Sequence, residues 1–165
     1  MAQARNPAFF TEIGIDDTVM GRFDVLALHV YLFSRRMKQG GDPKALALGQ
    51  EIFDLFMSDI ERALREVGIG DTSVPKRKKA MAKSFYGLIE DVEKPLDAGD
   101  HALLEQKIHA RYYKDKVNAP SKLLVEYLCI CNEKLLSQSI SDIYRGDLSW
   151  PDPSSLPLDG KPVHA

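Results

Sequence analysis

From Leu48 to Val67 apolar residues recur at steps of three and four: Leu48, Ile52, Phe53, Phe56, Ile60, Ala63, Leu64 and Val67. That period lines one side of an α-helix and does not fit a strand, whose side chains alternate between faces. Asp42-Pro43 supplies the start, a carboxylate cap followed by a proline in the first turn, where its missing N–H costs nothing. The stop is Gly68-Ile69-Gly70-Asp71, because glycine adopts the left-handed backbone that closes a helix C-terminus. The next helix is expected near Pro75, with Thr72 or Ser73 capping its free amides. The chain thus reads as a helix, a tight corner and another helix.

The residues after the corner are odd electrostatically. Lys76, Arg77, Lys78 and Lys79 occupy a first turn, where the helix dipole is positive and cations are disfavoured by roughly a few tenths of a kcal/mol each. Local stability does not account for them. On a helical projection Met81, Phe85, Leu88, Ile89 and Val92 gather on one side. Lys76, Lys79, Lys83 and Glu90 gather on the other, with Gly87 among them and Tyr86 at the edge. A glycine on the outer face costs about 1 kcal/mol against alanine, and one use for it is close approach by another chain. Lys76, Arg77, Lys79, Lys83, Tyr86 and Gly87 are therefore the candidate docking surface for an acidic or phosphate-bearing partner. The plain alternative is a solvated lysine face with an incidental glycine. Arg65, Glu66 and Asp71 have two readings, partner contact or a salt bridge and cap that tie the corner.

The remaining punctuation is also helical. Asn6-Pro7 caps a short N-terminal helix with an apolar edge of Phe9, Phe10 and Ile13, ending at Gly14. Asp16 or Asp17 is expected to cap the second helix, which runs through Val25 to Phe33 (VLALHVYLF) and stops at Gly40-Gly41. Nine apolar residues span about 14 Å as helix, against the roughly 20 residues needed to cross a bilayer. This is expected to be the central buried helix, with His29 a core imidazole. Pro95 bends or ends the fourth helix, and Ala98-Gly99-Asp100 separates it from a fifth, from about His101 to Lys114. His101, Glu105 and His109 share a face there; the two histidines lie about 12 Å apart along the axis, too far to hold one metal ion together, although His101 and Glu105 alone could contribute to a site completed elsewhere. Asn118-Ala119-Pro120-Ser121 opens the last long helix, with Leu124, Tyr127, Leu128, Cys131, Leu135 and Ile143 apolar and a break around Ser137 to Ser141, ending at Gly146. Cys129 and Cys131 read as small core residues. From Asp147 on, prolines and the absence of periodicity indicate an extended tail, with Trp150 its one large anchor.

The expected architecture is all-α: a single-domain bundle of about six helices over residues 1–146, followed by an extended, proline-rich tail over 147–165. A chain of 165 residues can bury a core without disulfides or metal. A net charge of -2 with mixed signs gives no global attraction to nucleic acid or anionic lipid, so recognition must be local. Two closely spaced cysteines fit a reducing compartment better than a secreted framework. The start, MAQARNPAFF, shows neither a secretory core nor a mitochondrial presequence. No nucleophile elbow, Walker loop, zincin motif or dinucleotide fingerprint occurs. The weight falls on a binding protein, with no enzyme activity, no cofactor and no metal expected.

The run LREVGIGDTSVPKRKKAMAKSFYG, Leu64 to Gly87, resembles the signature of the ubiquinol-cytochrome c reductase chaperone family. Members tend to read LREMGVGD, then VPKR with more basic residues, then FYGR. The resemblance extends to LALHVYLFSRRM, Leu26 to Met37, and QEIFDLFMSDIERALRE, Gln50 to Glu66, and continues faintly from Leu103 to Tyr113. The matching corner residues are Arg65, Glu66, Gly68, Gly70, Asp71 and Pro75. Leu88 stands where an arginine usually follows FYG, and Tyr112 where an asparagine is usual. The resemblance implies a non-catalytic helical chaperone that holds newly made cytochrome b during assembly of respiratory complex III. It further implies a small partner protein, proximity to the ribosome, peripheral contact with the inner membrane and no DNA. The location would be the bacterial cytoplasm, or the mitochondrial matrix side after import and trimming. A second reading is a ribosome- or RNA-associated helical adaptor using the basic helix start near residues 76–83.

Overall fold

The structure, a computed structural model, describes residues 2–156. Among these all regular structure is helical: α1 (Ala8–Thr11), α2 (Val19–Lys38), α3 (Pro43–Glu66), α4 (Val74–Ala98), α5 (His101–Tyr112), α6 (Ser121–Ser137) and α7 (Ile140–Tyr144), with 3-10 turns at Gln3–Arg5 and Pro153–Ser155. The chain forms two compact units, residues 27–90 and residues 1–26 together with 91–165.

In the unit of residues 27–90, every residue from Ala27 to Phe33 is buried, His29 included, as an apolar helix with no polar face requires. Among the described residues no helix is long and apolar enough to cross a membrane. Helix α3 starts as its sequence dictates, Asp42 accepting from the Lys44 amide at 3.0 Å. Phe56, Ile60 and Leu64 are buried with Ala45 and Gly49. The buried face is narrower than its apolar period: Leu48, Ile52 and Phe53 are half-buried, and Ala63 and Val67 are exposed. Gly49 marks a close approach of two helices, since a Cβ there would sit 3.1 Å from the Met37 Cβ. From α4, Val74, Met81, Phe85 and Leu88 complete the core.

In the other unit, Asn6 caps α1, its Oδ1 accepting from the Ala8 amide at 3.0 Å, and Phe9 packs edge-on against Tyr127 with ring centroids 5.0 Å apart. The cap of α2 differs from expectation. The Thr18 hydroxyl accepts from the Gly21 amide at 3.0 Å, while Asp17 pairs with Arg22 and Asp16 with Lys116. A hydroxyl at Thr18 stands one turn before the amide that needs it, whereas Asp16 and Asp17 lie too early in the chain. Helix α4 runs through Pro95 rather than ending there, and closes at Gly99 (φ +64). Asp100 then caps α5 through the Leu103 amide at 2.9 Å. Helices α5 and α6 pack together, and Leu104, Ile108, Leu124, Leu128, Cys131 and Leu135 are buried. The break in the serine-rich stretch is real, with Ser139 capping α7. Cys131 is buried but Cys129 is only half-buried, a correction to its reading as a core residue.

Residues 147–156 lie back on this unit. The Gln138 amide donates to the Ser149 carbonyl at 2.8 Å and its Oε1 accepts from the Ser149 amide at 2.9 Å. Lys134 Nζ donates to the carbonyl of Trp150 at 3.4 Å, and Gln3 donates to that of Pro151 at 2.6 Å. Pro153 and Leu156 are buried. The part of the expected tail from 157 to 165 lies outside the described residues.

Candidate functional site

The corner between α3 and α4 closes by backbone bonds. Gly68, at φ +83, donates to the Arg65 carbonyl at 3.0 Å, and Ile69 donates to that of Leu64 at 3.1 Å. This paired 5→2 and 6→1 pattern is the Schellman closure, and it needs a residue free to take positive φ at its centre. Gly70 has no positive φ, and a Cβ there would meet open space. Pro75 occupies the second position of α4 and is exposed, and the carbonyl of Ser73 accepts from the Arg77 amide at 3.1 Å.

Charged side chains add a second layer. Arg65 bridges Asp71, past the turn, and Glu61, one turn back at 3.1 Å. Glu61 also accepts from Lys78 Nζ at 2.7 Å, across to α4. The hydrogen bond from Lys78, reinforced by that from Arg65, holds the Glu61 carboxyl below the usual glutamate range. Glu66 is exposed, and among the described residues its one ion pair is with Arg62, at 3.9 Å. Arg65 and Asp71 thus tie the corner, and Glu66 takes no part in that tie.

Lys76, Arg77, Lys79 and Lys83 are exposed, and none of them forms an ion pair among the described residues. The arrangement separates two kinds of cation. Lys78 faces inward onto Glu61, whereas the lysines at 76, 79 and 83 face out along about 10 Å of helix. Gly87 continues that line, half-buried. Tyr86 is 55% exposed although aromatic. Its ring lies 6.3 Å from Phe53 and 6.0 Å from Phe85, and Phe53 stacks at 5.1 Å on Phe85, which lies 5.8 Å from Phe56. Phe53 and Phe85 therefore pack against a tyrosine that faces solvent, with Phe56 behind them. On α3, Leu46, Phe53 and Met57 fall within about 40° of one another at 3.6 residues per turn. Leu46 is 44% exposed and the other two are half-buried. Phe53 and an unpaired basic line thus flank Tyr86.

The sequence put Lys76, Lys79 and Lys83 on the outer face of α4, where they are exposed, but did not reveal the aromatic contacts of Tyr86 or the pairing of Glu61. Phe53 read as a core residue by its period, and only its distance to Tyr86 shows it serving a surface. A second cluster was also unread. Arg111 and Lys107 of α5 lie 3.3 and 3.4 Å from Asp91. Burial pushes the Asp24 carboxyl up to about 6, and the charge of Arg111 only partly offsets this. The Tyr112 hydroxyl is buried beside them although its ring is partly exposed. Asp24 precedes the apolar run of α2, and a carboxylate there was the available signal.

The histidine face of α5 forms no metal centre. Glu105 accepts from the Ser121 hydroxyl at 3.1 Å, and His101 Nε2 lies 3.9 Å from the Cys129 sulfur. Burial, with Glu133 and Glu126 nearby, pushes that thiol up to about 11, so it is no ready nucleophile. Among the described residues no three His, Cys, Asp or Glu side chains are placed to hold a metal ion.

Comparison with known proteins gives a consistent answer. Residues 11–150 match the family described as ubiquinol-cytochrome C chaperone. The chain is 26% identical over 145 residues to "Ubiquinol-cytochrome c reductase complex assembly factor 1" of Mus musculus, covering 86% of this chain and 48% of that protein. The protein of the same name from Homo sapiens matches with the same identity and coverage. The chain spans about half the length of these curated relatives. Among solved structures, the Cbp3 homolog from Brucella abortus superposes with a TM-score of 0.84 and 36% identity, over 94% of this chain and 86% of that one.

Proposed function

The chain belongs to the ubiquinol-cytochrome c chaperone family, and we propose that it is a non-catalytic assembly chaperone that binds newly made cytochrome b during biogenesis of respiratory complex III. The observation that carries this reading is the outward-facing line of Lys76, Lys79 and Lys83 beside Tyr86, rising from the corner whose sequence resembles the family's signature. A membrane protein not yet inserted exposes apolar segments and charged loops together. A surface that sets Phe53 and Tyr86 beside unpaired cations offers contacts to both. Gly87 belongs to the same face, and the exposed Arg77 stands about 100° around the helix from Lys76.

The location in this reading is peripheral to the inner membrane, on the cytoplasmic side in a bacterium or the matrix side in a mitochondrion. A small partner protein and the ribosome are further partners it allows. The test combines two measurements. Deleting the gene should lower assembled complex III and the lifetime of cytochrome b. A folded Lys76→Glu/Lys79→Glu/Lys83→Glu variant should fail to restore them and should capture less cytochrome b in pull-downs. Normal complex III in the deletion strain would refute the chaperone role. Full restoration by the variant would instead remove the basic line from it.

A further inference from the structure

We propose that the end of α6 and the N-terminal 3-10 turn form a binding site for an extended, proline-containing segment of a partner polypeptide, a site that residues 147–156 of this chain occupy in cis. The site belongs to the unit of residues 1–26 and 91–165, whereas the basic line of α4 belongs to the other unit. Either can therefore fail while the other stands.

The cis segment is gripped by its main chain. Gln138 Nε2 donates to the Ser149 carbonyl at 2.8 Å while Gln138 Oε1 accepts from the Ser149 amide at 2.9 Å. Lys134, one turn back along α6, donates to the Trp150 carbonyl at 3.4 Å, and Gln3 donates to that of Pro151 at 2.6 Å. Three successive carbonyls thus meet three side-chain donors, in an order that runs antiparallel to α6. The Gln3 amide also donates to the Tyr127 hydroxyl at 3.0 Å, which ties this donor to the same helix. Every polypeptide carries such amides and carbonyls, so these bonds give affinity without requiring one sequence, as when an extended peptide is read along its backbone.

The remaining contacts set the class of peptide. Trp150 and Asp152 each precede a proline, which biases both toward extended backbone, and Asp152 is extended. A segment so biased has less conformational freedom to lose on binding. Pro153 and Leu156 are buried, in and just after the 3-10 turn that packs against α1. Asn6 adds one side-chain bond, donating to the Asp152 carboxylate at 3.3 Å. The preferred ligand is therefore an extended run with prolines two apart and an apolar residue three further on. The cis copy leaves the helices at Gly146 (φ +85) and has no helical turn of its own before Pro153. A segment tethered this way competes with a free peptide at an effective concentration on the order of millimolar.

The test titrates a fluorescent peptide DLSWPDPSSL, the sequence of residues 147–156, with the full chain and with full-length Ser149→Pro/Leu156→Asp. That variant loosens the cis segment and leaves Gln3, Lys134 and Gln138 in place. The peptide should bind it at least on the order of tenfold more tightly than the parent, because more molecules then have the site open. Ser149→Pro alone, which removes one amide N–H at an exposed position, should give a smaller gain in the same direction. Adding Gln138→Ala to the loosened variant deletes two bonds and should weaken the peptide on the order of 30-fold. Methylating the peptide nitrogen that corresponds to Ser149 should cost about fivefold. A peptide with alanine everywhere except the tryptophan, the two prolines and the last leucine should bind within about tenfold of the original, and the reversed sequence should not bind. Equal affinity for parent and loosened variant, no binding to either, or indifference to Gln138→Ala would overturn the site. So would a concentration-dependent dimer of the parent that the peptide dissociates, which would reassign the site to a second copy of this chain.

Discussion

Lys78 Nζ lies 2.7 Å from Glu61 Oε2, joining the last turns of α3 to the first turn of α4. Of the four consecutive cations from Lys76 to Lys79, it is the one turned onto a carboxylate of the same unit. Burial of Val74, Met81, Phe85 and Leu88 sets the rotation of α4 about its axis, the contact agrees with it, and that rotation points Lys76, Lys79 and Lys83 outward.

Glu61→Gln should lower thermal stability at neutral pH and cease to matter in acid. The folded state holds this carboxyl below its ordinary 4.5 through Lys78 and then Arg65. A depressed carboxylate stabilises above its unfolded value and loses that contribution as pH falls through the lower folded one. Melting temperatures of parent and variant measured from pH 7 down to pH 3 should converge at the acid end. A constant difference across that range would assign the effect to packing.

Asp24→Asn should have the opposite pH signature. Burial raises the Asp24 carboxyl to about 6, so the folded state binds a proton that the unfolded state has released, and stability falls as pH rises from about 4 to 6. The amide removes that loss. Denaturant unfolding at pH 8 should show the variant more stable by about 1–2 kcal/mol, with the gain gone near pH 4. A destabilised variant at pH 8 would show that Arg111 needs Asp24 as well as Asp91.

Gly21→Ala should destabilise although alanine is the better helix former by about 1 kcal/mol. The added Cβ would lie 1.9 Å from the Asp16 carbonyl oxygen, a backbone atom. The entry into α2 would have to move, and a loss of about 2 kcal/mol or more is expected by chemical denaturation. Thr18→Ala, which removes only the cap on the same amide, should cost about 1 kcal/mol.

Gly49→Leu tests the close approach of α3 to Met37. With 3.1 Å to the Met37 Cβ, the larger side chain should cost about 1–3 kcal/mol through overpacking. Adding Met37→Ala to that variant should recover part of the loss, a coupling visible in a double-mutant cycle.

Gln138→Ala should free residues 147–156 without unfolding the helices. It deletes the reciprocal pair with Ser149, at 2.8 and 2.9 Å. Each net hydrogen bond is worth about 1 kcal/mol. Hydrogen exchange should quicken across 147–156 and remain slow in α6.

The sequence by itself determined the helices and their order, because period and punctuation act over one or two turns. The steps of three and four from Leu48 onward, the caps Asp42 and Asp100 and the positive-φ stops at Gly68, Gly99 and Gly146 are local interactions that a short segment carries wherever it packs. The basic outer face of α4 was legible for the same reason, since one helix alone sets the angle between Lys76 and Phe85. What the tertiary structure decided were pairings between elements. That Lys78 rather than Lys79 meets Glu61, that Phe53 meets exposed Tyr86 as well as buried Phe85, that Gly49 is small for Met37 and that Asp24 lies beside Arg111 depend on distances between residues far apart in sequence. Thr18 displaced Asp16 and Asp17 as the cap of α2 because two residues more or less decide which amide a side chain reaches. Periodicity gives the direction of a side chain from its own axis. The partner it finds there is set by how neighbouring axes pack.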